Sequence, residues 1–82
     1  MEITRNPART YSPESARIDF VLPDSGRRMD ITVYGPDHFA PEARINWAGI
    51  GSVSSADAIA YASAIMLAAS IAPTLAPELG EA

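Results

Sequence analysis

The sequence predicts an α+β domain: a three-stranded antiparallel sheet, four-stranded if the N-terminal arm joins it, packed by one C-terminal helix and paired into a dimer. Three observations carry this reading. Two runs of period-two hydrophobic alternation flank a Pro-Asp-Ser-Gly turn, and a third alternating run ends in glycines. Behind a serine cap, the chain then enters a long, uncharged, alanine-rich stretch.

Residues 1–16 hold Pro7, Pro13 and several small polar residues, and read as an extended arm in which Ser12-Pro13-Glu14-Ser15 can form one turn. From Arg17 the period is two: Ile18, Phe20 and Leu22 fall on one face, with Arg17, Asp19 and Val21 on the other. Pro23 presets φ and Gly26 accepts a left-handed backbone, so the segment between them closes a hairpin. Met29, Ile31 and Val33 then alternate with Asp30, Thr32 and Tyr34 on the returning strand. Pro36 and Pro41 keep residues 35–42 in a loop. Ala43, Ile45 and Trp47 form the third strand, which Gly49 and Gly51 end. The sheet side of the core is expected to be Ile18, Phe20, Ile31, Val33, Ile45 and Trp47.

The helix starts at a capping Ser54, gains a favourable anion from Asp57 in its first turn, and runs to about Ala72, where Pro73 stops it. Ile59, Ile65, Met66 and Ile71 are expected to supply its core side. Residues 17–73 thus make the domain, and residues 74–82 a flexible tail. An ordinary surface helix has one apolar stripe and a charged back, but this one has only Ser63 and Ser70 as polar residues after Asp57. A small sheet covers one side of such a helix, so a second cover is required. Ala60, Ala64, Ala68 and Ala72 recur at every fourth position, a ridge without bulk that lets two helices approach closely. The expected dimer interface is therefore Ala60, Tyr61, Ala64, Leu67, Ala68, Ile71 and Ala72.

Composition narrows the chemistry. At 82 residues without cysteine, the chain has no disulfide or thiolate metal site to support a marginal core. All six basic residues are arginine, which excludes lysine Schiff-base and P-loop chemistry. His38 is the single histidine and has no thiol to partner. Gly49-Ile50-Gly51-Ser52-Val53-Ser54 lacks the third glycine of a dinucleotide fingerprint and reads as a strand end followed by a cap. Asp19 and Asp30 share a face with Arg17, Arg28 and Arg44, which reads as a solvated charge network rather than a cation site. The sequence therefore points to no enzyme, no metal and no cofactor. The net charge of −4 argues against a nucleic-acid partner. Twenty uncharged residues, Ala58 to Pro77, reach membrane-span length, but acidic flanks and two prolines favour a soluble helix, and the lack of a signal-peptide pattern and of cysteine points to the cytoplasm.

The stretch from Arg44 to Ala72, a strand running through Ser-Val-Ser-Ser-Ala-Asp-Ala into an alanine-rich helix, resembles small uncharacterised proteins of actinobacteria and their phages. That resemblance implies no activity. The strand-strand-strand-helix order also resembles the single-stranded DNA-binding homodimers of the Whirly type. It implies a nucleic-acid-binding alternative carried by Arg5, Arg9, Arg27 and Arg28. The leading expectation is a non-catalytic homodimer that acts on a protein partner.

Overall fold

Alternation in the central hairpin is realised as strands β2 (Ser15–Val21) and β3 (Arg28–Tyr34), paired antiparallel with Ile18 opposite Ile31 and Asp19 opposite Asp30 in the computed structural model, which describes residues 1–80. The Pro23–Gly26 turn closes through Leu22 N–H to the Arg27 carbonyl at 2.9 Å, and Gly26 sits at φ 74°, a conformation that needs glycine. Strand β4 (Arg44–Trp47) pairs with β3 as expected. The arm contributes the fourth strand, β1 (Glu2–Asn6), on the other side of β2, giving a meander in the order β1-β2-β3-β4. Its single strong apolar residue, Ile3, leaves the period-two signal of this strand weak.

Helix α1 (Ser55–Ile71) begins at Ser54, whose Oγ accepts the Asp57 N–H, and passes at Ala72 into a short 3-10 turn that holds Pro73. It lies across β2 and β3. The core joins Ala16, Ile18, Phe20, Leu22, Met29, Ile31 and Val33 of the sheet to Tyr61, Ala64, Ala68 and Ile71 of the helix. The rings of Phe20 and Tyr61 meet at a tilt, with centroids 6.0 Å apart.

Three expected core residues lie elsewhere. Trp47 is on the helix side of β4 but is 54% exposed, because the helix covers the two middle strands and not the edge. Ile59 and Met66 point away from the sheet, and Ile45 and Ile65 are only half-buried beside it. The molecule is long for its size: its radius of gyration is 14.2 Å, against about 12 Å for a compact chain of this length. Such a shape leaves proportionately more apolar surface uncovered.

The tail is not free. Leu75 is buried in the core, the Leu79 and Gly80 N–H groups donate to the Arg9 and Thr10 carbonyls, and the Glu14 N–H donates to the Ala76 carbonyl at 2.9 Å. Residues 75–80 thereby correct the expectation of a flexible tail; Glu81 and Ala82 lie outside the described residues. Gly35 makes this docking possible. Its N–H donates to the Glu14 carbonyl, and a Cβ there would stand 2.5 Å from the Ala76 carbonyl oxygen and 3.0 Å from that of Glu14. Gly35→Ala is expected to destabilise the fold by about 1–3 kcal/mol through overpacking. Thermal unfolding checks this, and faster hydrogen exchange at the Ala76 amide should accompany it. An unchanged melting temperature would mean that the tail yields at no cost.

Candidate functional site

The rotation of α1 about its own axis decides what the molecule can offer a partner, and two polar anchors set it. Asp57 is 2% exposed, and its carboxylate accepts the Asp24 N–H at 2.7 Å and the Ser25 N–H at 3.1 Å, both from the β2–β3 turn. Burial alone would raise its pKa, but hydrogen bonds from the Asp24 N–H, the Ser25 hydroxyl and the Ser25 N–H hold it below its ordinary 3.8. One turn later, the Tyr61 hydroxyl donates to the Ala48 carbonyl at 2.7 Å, and burial pushes its pKa up. Both anchors lie on the stripe 57, 61, 64, 68, 71, and that stripe meets the sheet.

This orientation overturns much of the expected dimer interface. Tyr61, Ala64, Ala68 and Ile71 are buried inside the chain, while Ala60, Leu67 and Ala72 flank them half-buried. Ala64 and Ala68 belong to one buried cluster with the branched Ile18, Ile31 and Val33 of the chain's own sheet, where small residues let the two layers close. The ridge thus serves helix–sheet packing rather than helix–helix packing. Toward solvent α1 turns Ser55, Ile59, Ala62, Ser63, Met66, Ala69 and Ser70, with Pro73 beyond its end; Ile59 is 67% and Met66 73% exposed. No charged residue lies between Asp57 and Glu78. Sequence reasoning missed this surface because a helix that is apolar all round does not announce its rotation, although the aligned polar groups of Asp57 and Tyr61 are a readable cue.

The opposite face of the sheet is polar and charge-balanced. Arg17 donates to Asp19 Oδ1 and Asp30 Oδ2, both at 3.0 Å, which ties the two opposed carboxylates into the expected solvated network. The four arginines of the nucleic-acid alternative do not form one patch. Arg5 is on the helix side of β1, bonded to Thr74 Oγ1 and 3.9 Å from Glu14. Arg28 stands opposite Val21, five residues along β2 from the partner of Arg5, or about 17 Å, with Arg27 beside it in the turn. Arg9 lies in the loop after β1, at Arg5's end of the strands.

The His38 ring meets that of Phe39 at a tilt of 42°, with centroids 3.9 Å apart, and the His38 backbone N–H and Nδ1 both meet Glu78 Oε1, at 2.8 and 2.9 Å. This contact clips the tail to loop 35–42, a role for Glu78 that no sequence pattern announces. At the other end of the strands an open hollow of about 650 Å³ is bounded by Met1, Phe20, Arg28, Met29, Ala60 and Ser63. Among the described residues, no group of three His, Cys, Asp or Glu side chains could hold a metal ion. Segment Ser55–Thr74 has the length and mean hydropathy, 1.5, to cross a membrane, yet its inner stripe packs on the sheet and carries Asp57. No known family, curated protein or solved structure matches this chain.

Proposed function

We propose that this protein is a small, non-catalytic homodimer that acts through protein–protein contacts in the cytoplasm, an accessory role in keeping with its resemblance to small actinobacterial and phage proteins. One observation carries the reading: the solvent side of α1 is uncharged along its whole length and presents Ile59 and Met66 largely uncovered. Large apolar side chains left in solvent on an uncharged helix face, with Ser63 and Ser70 beside them, support an interaction site there. Covering those two side chains in both copies contributes on the order of 4–8 kcal/mol at ordinary side-chain values. Association itself costs at least about 4 kcal/mol in lost translational and rotational freedom, so the dimer is expected to be weak and reversible rather than obligate.

Sedimentation equilibrium from low to high micromolar concentration tests this. The wild type is expected to shift toward twice the monomer mass. Met66→Glu is expected to abolish that shift, and to change monomer stability by no more than about 0.5 kcal/mol, because the position is exposed. A wild type that remains monomeric throughout would remove the proposal. A single-stranded DNA titration at low salt, where phosphate contacts are strongest, is expected to show no binding.

A further inference from the structure

Of the two outer strands of the sheet, one carries a device against further pairing and the other does not. β1 turns Arg5 to the helix side, and an inward-pointing charge deters a neighbouring strand. β4 turns only Ile45 and Trp47 to that side, the first half-buried and the second 54% exposed. Among the described residues, the backbone groups of Arg44–Trp47 that point away from β3 have no hydrogen-bond partner. Both ends of this edge are held in place. The Tyr61 hydroxyl donates to the Ala48 carbonyl, and Arg44 donates to Asp37 Oδ2 at 2.8 Å, while Asp37 Oδ1 accepts the Phe39 and Ala40 N–H groups. An edge fixed in advance loses little freedom when it is occupied.

An unpaired row of N–H and C=O groups on a strand fits one kind of occupant, an extended backbone. The side chains of β4 specify what that backbone carries. In an antiparallel fit, which continues the alternation of the meander, one residue of the added strand stands opposite Trp47, and the residue two further on stands opposite Ile45. Apolar side chains at both positions cover the half of Trp47 that the helix leaves in solvent. The next residue faces Arg44 on the other side of the sheet, where Tyr34, Arg44, Ile45 and Asn46 bound an open hollow of about 340 Å³. The Arg44 guanidinium has donors beyond the one given to Asp37, so a carboxylate complements it there. We propose that β4 accepts an extended segment of a partner protein as a fifth strand, with the pattern apolar, any residue, apolar, acidic along its chain. This inference shares with the reading above only the premise that the protein works through protein contacts, and it does not depend on the α1 dimer.

Trp47 is the single tryptophan of the chain, so its fluorescence reports directly on this edge. The probe is an end-blocked peptide, Lys-Thr-Val-Thr-Val-Glu-Thr-Lys, titrated to millimolar concentration. A saturable shift of the emission to shorter wavelength is expected as the added strand covers the indole. Two analogues, N-methylated at one or the other alternate set of residues, separate strand pairing from general adhesion. One should bind about tenfold more weakly through loss of its hydrogen bonds, and the other nearly as well as the parent, because its methyl groups face solvent. Exchanging the peptide's glutamate for lysine is expected to weaken binding about two- to fivefold. Met66→Glu should bind the peptide as the wild type does, so failure of the α1 dimer and failure of this site are read separately. No shift at millimolar peptide, or an equal response to both methylated analogues, would overturn the proposal. A shift that grows with protein concentration alone would overturn it too, since a second copy would then occupy β4.

Discussion

Replacing Ala68 with glutamate is expected to unfold most of the protein at room temperature. Ala68 is fully buried between α1 and the sheet, with no polar group there to receive a carboxylate. An unpaired buried charge together with four added heavy atoms beyond a methyl costs on the order of 4 kcal/mol or more. A chain of this length has about 4–12 kcal/mol of stability in total. The comparison with Met66→Glu, two positions away, makes the result diagnostic, since that side chain already stands in solvent. Far-ultraviolet circular dichroism and thermal melting of the two variants separate the alternatives. A well-folded Ala68→Glu with the wild-type melting temperature would mean that the alanine ridge faces outward after all.

Asp57→Asn carries the second large effect. Asparagine keeps the shape but turns an amide N–H₂ toward one of two backbone donors, Asp24 N–H or Ser25 N–H, which then loses its acceptor. The melting temperature at neutral pH is expected to fall by about 10 °C. Because the folded carboxylate is held below its ordinary 3.8, its contribution is complete above about pH 4 and is lost as the pH drops through the lowered folded value. Wild type and Asp57→Asn should therefore differ most near neutrality and converge in acid. Asp37 leaves part of the acid limb in the variant. Burial pushes its pKa up, but the Ala40 and Phe39 N–H groups, Arg44 and His38 together hold it below 3.8. Parallel stability curves for the two proteins down to pH 2.5 would show that Asp57 does not titrate between the folded and unfolded states.

The elements read directly from sequence are those whose information is local. Alternation around the Pro23–Gly26 turn specified β2, β3 and the inward faces of Ile18, Phe20, Ile31 and Val33, and Ser54 marked the start of α1. What depends on distant partners was not legible. Helix rotation follows from Asp57 reaching the turn 33 residues earlier, and a uniformly apolar surface offers no competing signal. The same holds for the tail, where Glu78 meets His38 across 40 residues. Trp47 kept the expected parity, yet lies beyond the reach of the helix, because alternation fixes a face and not the width of what covers it.

The docked tail also bears on the order of assembly. Its hydrogen bonds to Glu14, Arg9 and Thr10 join segments more than sixty residues apart, whereas the β2–β3 hairpin closes across a turn of four residues. Closing the longer loop carries the larger entropic cost and gains only a few bonds, so it belongs after the folding barrier. Contacts formed after the barrier chiefly govern how fast the native state unravels. Residues 75–80 therefore act as a kinetic clasp: weakening them should leave the refolding rate nearly unchanged and quicken unfolding, which places the persistence of this small fold in its final segment.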